Sequence, residues 1–302
     1  MTTNRKPRVS IGLPVYNGEN YLSAALDSIL DQTYADFELI ISDNASTDKT
    51  QEICNRYAAH DERIIYLRTK NNIGAAKNYN VLPEYAKGDY FKWAAHDDLI
   101  DPMFLEKCAD VLDHEPEVVL TYPQTILYNS NGNAYGEYAD GLHLSSQFPH
   151  ERFLKFLNNP GLCHAVFGLI RLESLRRTAL IGNYPRSDRN LLGELSLYGK
   201  FFEIPESLFF RRTHPGDSTT VNVTEHELAV WFDPSKKGKM VFPRWRRLYE
   251  YLKAILRAPM SAKDKFLSTS YLGRFIFDPE RWRGMFEDIV VAIKQKFSNN
   301  SL

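Results

Sequence analysis

The chain reads as an α/β protein: a mostly parallel sheet with flanking helices, continued toward its C-terminal end by a helical extension. Three observations lead there. Over the first 130 residues, short apolar runs alternate with segments whose apolar residues recur at helical spacing, the rhythm of strands and crossover helices. Polar clusters follow the apolar runs at Pro14 to Asn20, Asp43 to Asp48 and His96 to Asp98, the ends at which an open parallel sheet binds its ligands. Past residue 235 the rhythm gives way to basic, aromatic-rich helical stretches.

Arg8 to Leu13 is a short apolar strand, and Tyr21, Leu22, Ala25, Leu26, Ile29 and Leu30 then share one helical face. Phe37 to Ser42 (FELIIS) is a buried second strand. Ser46 and Thr47 are expected to cap the next helix, with Asp48 in its first turn and Ile53, Cys54 and Tyr57 turned inward. Arg63 to Leu67 is a third strand, Gly74 to Tyr85 a helix and Tyr90 to Ala94 a fourth strand. Asp101-Pro102 is a cap followed by a first-turn proline, opening a helix over Met103 to Asp113, and Val118 to Tyr122 closes the series.

From Thr125 to Gln147 the composition turns to Asn, Gly and Tyr, which predicts hairpins or loops. A helix follows over Pro149 to Asn158, a strand or turn over Cys163 to Arg171, and a helix over Asp188 to Tyr198. Phe201 to Arg212 is extended and broken by Pro205. Arg246 to Arg257 is an amphipathic helix, and Phe286 to Phe297 is expected to be another.

The 302 residues carry 37 Lys and Arg against 38 Asp and Glu, so a net charge of −1 gives no reason to expect a nucleic-acid partner. That balance hides an asymmetry: residues 236 to 302 hold 15 basic and 6 acidic side chains, leaving 22 basic and 32 acidic in the first 235. A basic helical tail either packs as a subdomain or rests on an anionic membrane surface. Cys54, Cys108 and Cys163 are odd in number and lack CxxC spacing, so a disulfide framework is not expected and a reducing, cytoplasmic setting is. No cleavable signal or membrane-spanning run is read in the chain.

Chemistry concentrates in three carboxylates at strand ends, Asp43, Asp97 and Asp98. Adjacent aspartates after an apolar strand can hold a hard divalent cation that bridges a diphosphate, because carboxylate oxygens suit Mg²⁺ or Mn²⁺. By themselves, adjacent aspartates read first as a solvated loop or a helix cap.

Five motifs in order change that balance: VSIGLPVYNGENYL (Val9 to Leu22), SILDQTYADFELIISDNASTDKT (Ser28 to Thr50), NNIGAAKN (Asn71 to Asn78), AKGDYFKWAAHDD (Ala86 to Asp98) and RRTHPGDS (Arg211 to Ser218). Together they resemble the family 2 inverting glycosyltransferases. The resemblance implies a Rossmann-like, GT-A-type fold and a nucleoside-diphosphate sugar as donor, of UDP, GDP or dTDP type with UDP foremost. It implies transfer to an acceptor hydroxyl with inversion, Mn²⁺ or Mg²⁺ on the diphosphate, and a setting in bacterial surface polysaccharide or glycolipid synthesis. The acceptor would be a glycan or glycolipid. Residues 1–130 would form the nucleotide-sugar-binding half, 131–235 the acceptor-binding half of the same domain, and 236–302 a basic helical extension, with peripheral contact to the inner face of the plasma membrane through its helices.

Site roles follow from the same resemblance. Pro14, Tyr16, Asn17 and Glu19 would wrap the nucleotide, and Asp43 would accept a hydrogen bond from the base, whose imino N–H is a donor. Asn72 and Lys77 would also face the nucleotide. The family's Asp-x-Asp-Asp element is here Ala95-His96-Asp97-Asp98, without its first acid; Asp97 is carried to the ribose and Asp98 to the metal. His96 reads as a hydrogen-bonding residue. Arg212 and His214 match a late Arg-x-His element, the guanidinium suited to phosphate and the imidazole to the metal. Asp188 would be the general base, although the family's preceding Glu is Ser187 here and Asp188 could serve as a helix cap. Glu194 would point elsewhere, as a surface or supporting group, while Cys163, His164 and Gly168 fall in the stretch that shapes the acceptor side.

Two rivals stay open at this level. A nucleotidyltransferase shares the sheet and paired aspartates but carries a Gly-rich phosphate loop, and none follows the first strand. A catalytically degenerate sugar-nucleotide-binding scaffold would account for the missing acid at Ala95.

Overall fold

In the computed structural model, which describes residues 6–216, 221, 224–276 and 279–299, the front of the chain follows the crossover rhythm. Strands β1 (Val9–Val15), β2 (Phe37–Asp43), β3 (Ile64–Arg68) and β4 (Tyr90–Trp93) alternate with helices α1 (Leu22–Leu30), α2 (Thr50–Ala58) and α3 (Ala75–Tyr85). β1 pairs in parallel with β2 on one side and β4 on the other, and β2 pairs in parallel with β3. β1 and β2 are buried along their whole length, because the sheet is covered on both faces. Leu39 and Ile41 enter one core with Leu26, Ile53 and Leu105, whereas Ile40 enters the other with Leu82, Phe153 and Leu191.

The expected capping of α2 by Ser46 and Thr47 does not occur. The Thr50 N–H goes to Asp48 Oδ1 at 3.0 Å and the Lys49 N–H to Glu19 Oε2 at 3.1 Å. Asp101 does open α4 (Phe104–His114), its Oδ1 accepting the Met103 N–H at 2.9 Å.

Beyond β4 the sheet is mixed. β5 (Leu99–Ile100), β6 (Val118–Asn129), β7 (Ala134–Tyr138), β8 (Leu169–Arg171) and β9 (Lys200–Thr213) complete the order β3-β2-β1-β4-β8-β6-β9-β5, with β7 paired to β6. β8 runs antiparallel to both β4 and β6, and β6 and β9 are parallel. The Asn- and Gly-rich segment thus forms the end of β6 and its hairpin partner β7. Pro205 does not end its strand: Ile204 lies opposite Pro123 and Ser207 opposite Gln124, so Pro205 and Glu206 bulge out of the ladder that a proline cannot join.

Helices α5 (Pro149–Asn158), α6 (Leu172–Arg176) and α7 (Ser187–Tyr198) precede β9, and α8 (Glu225–Phe232), α9 (Pro243–Arg257), α10 (Ala262–Ile276) and α11 (Pro279–Asn299) follow it. Tyr251, Ala254 and Ile255 of α9 and Leu272 of α10 join the core that holds α5 and α7. On α9 the opposite face leaves Tyr249, Leu252 and Leu256 exposed. α8 returns to the front of the sheet: Gly74, at φ +85° ahead of α3, packs so tightly on Phe232 and Pro234 that a Cβ there would lie 2.6 Å from the Pro234 ring. Among the described residues no helix is long and apolar enough to cross a membrane, and the three cysteines are free and buried.

Candidate active site

The order β3-β2-β1-β4 reverses direction of growth between β1 and β4, which opens a crevice at the carboxyl ends of those strands. On the β2 side of it, the loop after β1 and the loop after β2 are joined. Asn17, held at φ 53° as asparagine tolerates, gives its N–H to Ser46 Oγ at 2.9 Å and accepts the Thr47 N–H on Oδ1 at 2.9 Å. The Gly18 N–H reaches Thr50 Oγ1 at 2.8 Å, and the Glu19 N–H reaches Asp48 Oδ2 at 3.0 Å. Asn17 and Glu19 therefore build one wall of the crevice by fastening these two loops together. Pro14 is buried in β1 opposite Ser42, while Tyr16 stands 43% exposed at the mouth.

Asp43 ends β2 fully buried. Its Oδ1 accepts the Ser46 N–H at 2.8 Å, and its Oδ2 takes the Tyr66 hydroxyl at 2.8 Å together with the Arg68 guanidinium. Arg68 is Asp43's direct neighbour in the β2–β3 register, so the pairing of two strand ends puts the cation on the acid. Sequence reasoning passed over Arg68 and Tyr66; aligning the ends of two parallel strands would have found them. Asn72 Oδ1 accepts from Asn44 Nδ2 at 3.0 Å and from the Gly74 N–H at 2.9 Å, which sets the turn into α3, on which Lys77 is exposed.

Asp97 and Asp98 stand beyond β4 and meet the end of β9. Asp98 Oδ1 accepts from Arg211 Nη1 at 3.0 Å and from the Arg212 N–H at 2.9 Å. Its Oδ2 is buried with no protein partner. Burial pushes the Asp98 carboxyl up to about 7, against the pull of Arg211 and with a further push from Asp97. Asp97 is held below the usual range: burial raises it, but the neighbouring His96, Arg211 and the hydrogen bond with His214 prevail.

His214 Nε2 lies 3.0 Å from Asp97 Oδ2, and its Nδ1 accepts the Gly216 N–H at 3.1 Å, so the imidazole is turned toward the acid pair with both nitrogens engaged. Arg212 is buried between Tyr21 and Tyr128, its guanidinium 4.5 Å from each ring centre, and its Nε donates to the Asp97 carbonyl at 2.9 Å. In this arrangement Arg212 braces the acid loop, and the partly exposed Arg211 is the guanidinium at the crevice. Tyr21 and Arg211 lie within the first and fifth motifs but were given no site role, and Tyr128 lies outside all five, since the roles of these residues arise from β9 meeting the acid loop.

An unpartnered buried carboxylate oxygen next to a second carboxylate and an imidazole is a donor set that suits a hard divalent cation. Among the described residues no group of three or more His, Cys, Asp or Glu side chains could hold a metal ion without help. Such a cation would take its remaining oxygens from a diphosphate and water, as Mg²⁺ and Mn²⁺ do.

Asp188 sits in the first turn of α7, partly exposed, and its Oδ1 accepts the Arg189 N–H at 2.8 Å. Burial pushes its carboxyl up, opposed by Arg189, Arg186 and Arg247. Burial likewise raises the Tyr79 hydroxyl, and the carboxylates of Asp97, Asp98 and Asp188 add to that, so base candidate and acid pair act on one ring. Glu194 is buried and supports the fold, accepting the Ala179 N–H at 3.0 Å and pairing with Arg257. His164 is satisfied by Thr125 Oγ1 at 3.0 Å, and burial with Arg211 nearby lowers it to about 4.

The family model described as glycosyl transferase family 2 matches residues 10–178. The chain is 28% identical over 223 residues to the hyaluronan synthase of Pasteurella multocida, covering 72% of this chain and 22% of that one. It thus spans less than a quarter of that relative's length, and about a third of others it matches. Among solved structures it is similar to S. aureus TarS in complex with UDP-GlcNAc, with a TM-score of 0.64 at 16% identity over 95% of this chain and 81% of that one. It is also similar to the mannosyltransferase PcManGT of Pyrobaculum calidifontis in complex with GDP-Man and Mn²⁺, with a TM-score of 0.53 at 16% identity over 97% and 88% of the two chains.

Proposed function

Because the chain belongs to glycosyl transferase family 2, we propose that it transfers a sugar from a nucleoside-diphosphate sugar, UDP foremost, to an acceptor hydroxyl with inversion. The observation that carries the reading is the buried, unpartnered Asp98 Oδ2 at the crevice between β1 and β4. Asp98 would hold Mn²⁺ or Mg²⁺ there with His214, and the ion, when bound, offsets charge on the diphosphate. Tyr16 and the wall built through Asn17 and Glu19 enclose the nucleotide, with Pro14 beneath and Asn72 and Lys77 flanking. Asp43 receives the base's imino N–H once Arg68 turns aside, and Asp97 faces the ribose. Arg211 adds positive charge toward the phosphates, and Arg212 keeps Asp97 and Asp98 in place.

The reaction then needs one proton acceptor. The acceptor oxygen forms a bond to C1 as the C1–O bond to the diphosphate breaks, the electron pair leaves with the nucleoside diphosphate, and Asp188 takes the hydroxyl proton. Its raised affinity for a proton suits that task. A role in surface polysaccharide or glycolipid synthesis accords with the polysaccharide-synthase relative. Peripheral membrane contact through the basic C-terminal helices accords with the exposed apolar face of α9.

The test is release of nucleoside diphosphate from UDP-, GDP- and dTDP-sugars without acceptor, in Mn²⁺ and in EDTA. Slow, metal-dependent release from one donor supports the reading. No release and no binding of any nucleotide would favour a degenerate scaffold instead.

A further inference from the structure

One aromatic ring beside the acid pair touches two residues that act on that pair. Tyr21 stands where the loop after β1 enters α1: its N–H donates to the Gly18 carbonyl at 3.2 Å and its carbonyl accepts the Ala25 N–H at 3.1 Å, so loop and helix fix its backbone from both sides. The His214 imidazole meets the Tyr21 ring with centres 4.7 Å apart and planes tilted by 51°. The Arg212 guanidinium lies 4.5 Å from the centre of the same ring and 4.5 Å from that of Tyr128. Arg212 and His214 are two residues apart where β9 ends and fall on one side of the backbone, which lets a single ring receive both.

The contact with His214 has a chemical consequence. Nδ1 accepts the Gly216 N–H at 3.1 Å, a bond within its own segment, and Nε2 lies 3.0 Å from Asp97 Oδ2. For Nε2 to serve a cation at the unpartnered Asp98 Oδ2, the imidazole has to let go of Asp97 and still stay beside the acid pair. Gly216 travels with His214 and gives no fixed point. Tyr21 does, because its loop is fastened to another element through the Gly18 N–H and Thr50 Oγ1 at 2.8 Å. Among the described residues the Tyr21 hydroxyl makes no hydrogen bond, so the ring itself does the holding. Groups that orient a metal-binding histidine from outside the metal's own ligand shell govern how well that histidine binds.

Resting on the transferase reading, we propose that Tyr21 is a positioning residue for the metal site: its ring keeps the His214 imidazole beside Asp97 and Asp98 while Nε2 changes partner from Asp97 to the cation. The loop after β1 thereby serves twice, as a wall of the crevice through Asn17 and Glu19 and as the seat of the metal-binding imidazole. A side chain that only filled space would brace Arg212 without orienting His214, and the two roles separate in a double-mutant cycle.

The electron paramagnetic resonance of free Mn²⁺ measures its binding to the full chain in the presence of UDP, GDP or dTDP. Tyr21→Phe keeps the ring and is expected to bind Mn²⁺ as wild type does, whereas Tyr21→Leu is expected to weaken it about tenfold. In a His214→Ala background the same Tyr21→Leu change is expected to weaken Mn²⁺ by less than about twofold, since no imidazole is left to orient. Tyr21→Met, whose flexible thioether fills irregular space, supplies the same comparison should the leucine variant fail to fold. Unchanged Mn²⁺ affinity in Tyr21→Leu overturns the proposal, as does a Tyr21→Phe variant that binds as weakly as Tyr21→Leu. An equal loss with and without His214 also overturns it and leaves the ring to Arg212 alone. Wild type that takes up no Mn²⁺ with any of these nucleotides removes instead the transferase reading on which the proposal rests.

Discussion

Asp98→Asn separates the metal site from the fold. The amide keeps an oxygen for Arg211 Nη1 at 3.0 Å and the Arg212 N–H at 2.9 Å, so the β9 contact survives. What it removes is the negative charge on Oδ2, the buried oxygen that has no protein partner. Loss of a costly buried carboxylate and loss of Arg211's counter-charge oppose one another, which leaves the unliganded protein folded. The effect belongs to the ligand. A nucleotide present at 100 times its dissociation constant stabilises the native state by about 2.7 kcal/mol. At about 2.1 cal/mol/K per residue, a chain of 302 residues has an unfolding entropy near 0.6 kcal/mol/K, so the melting point rises by about 4 °C. The assay is thermal unfolding with UDP, GDP, dTDP and CDP, each with Mn²⁺ and with EDTA. Wild type is expected to show the rise with one nucleotide in Mn²⁺ alone, and Asp98→Asn to show none. An undiminished, Mn²⁺-dependent rise in the variant would refute Asp98 as the metal ligand.

Further outcomes follow from the same geometry. Asp188→Asn retains its backbone contact and is expected to keep the nucleotide shift while losing transfer by about 100-fold or more; retained turnover would remove it as base. Arg212→Lys loses the planar group stacked between Tyr21 and Tyr128 and is expected to cost about 2 kcal/mol in urea unfolding, and a change near zero would mean the stacking does not brace the acid loop. Lys92, fully buried in β4, is lowered by burial to about 7, so its charged form penalises the native state below that pH and the penalty fades as pH rises toward 10.5. Wild-type stability is therefore expected to rise across that window by at most about 5 kcal/mol relative to Lys92→Met, and parallel pH profiles would contradict the buried charge.

Sequence legibility followed the range of the interactions involved. The first four strands and their helices were readable because their signals are local: FELIIS is apolar throughout as both faces are covered, and α1 repeats its buried positions at helical spacing. The strand-end polar clusters were equally plain, and β1 and β4 do bring the first and third of them to one crevice. The second half was less readable, because β8 has three residues and β5 two, too short for any period, and both are defined by partners far along the chain. Ser46 and Thr47 looked like caps but are claimed by Asn17, a competition between local and distant hydrogen bonds that spacing cannot decide. Arg212 was expected at the phosphates, but it is enclosed by two tyrosines from residues 21 and 128, a placement that no local pattern carries.

The most direct test of the central claim is a crystal structure of the full chain grown with UDP and Mn²⁺, using the anomalous signal of the metal. The account predicts a manganese within bonding distance of Asp98 Oδ2, the diphosphate in the crevice between the ends of β1 and β4, and His214 released from Asp97. A nucleotide bound elsewhere, or a diphosphate held there with Asp98 Oδ2 still unpartnered, would contradict it.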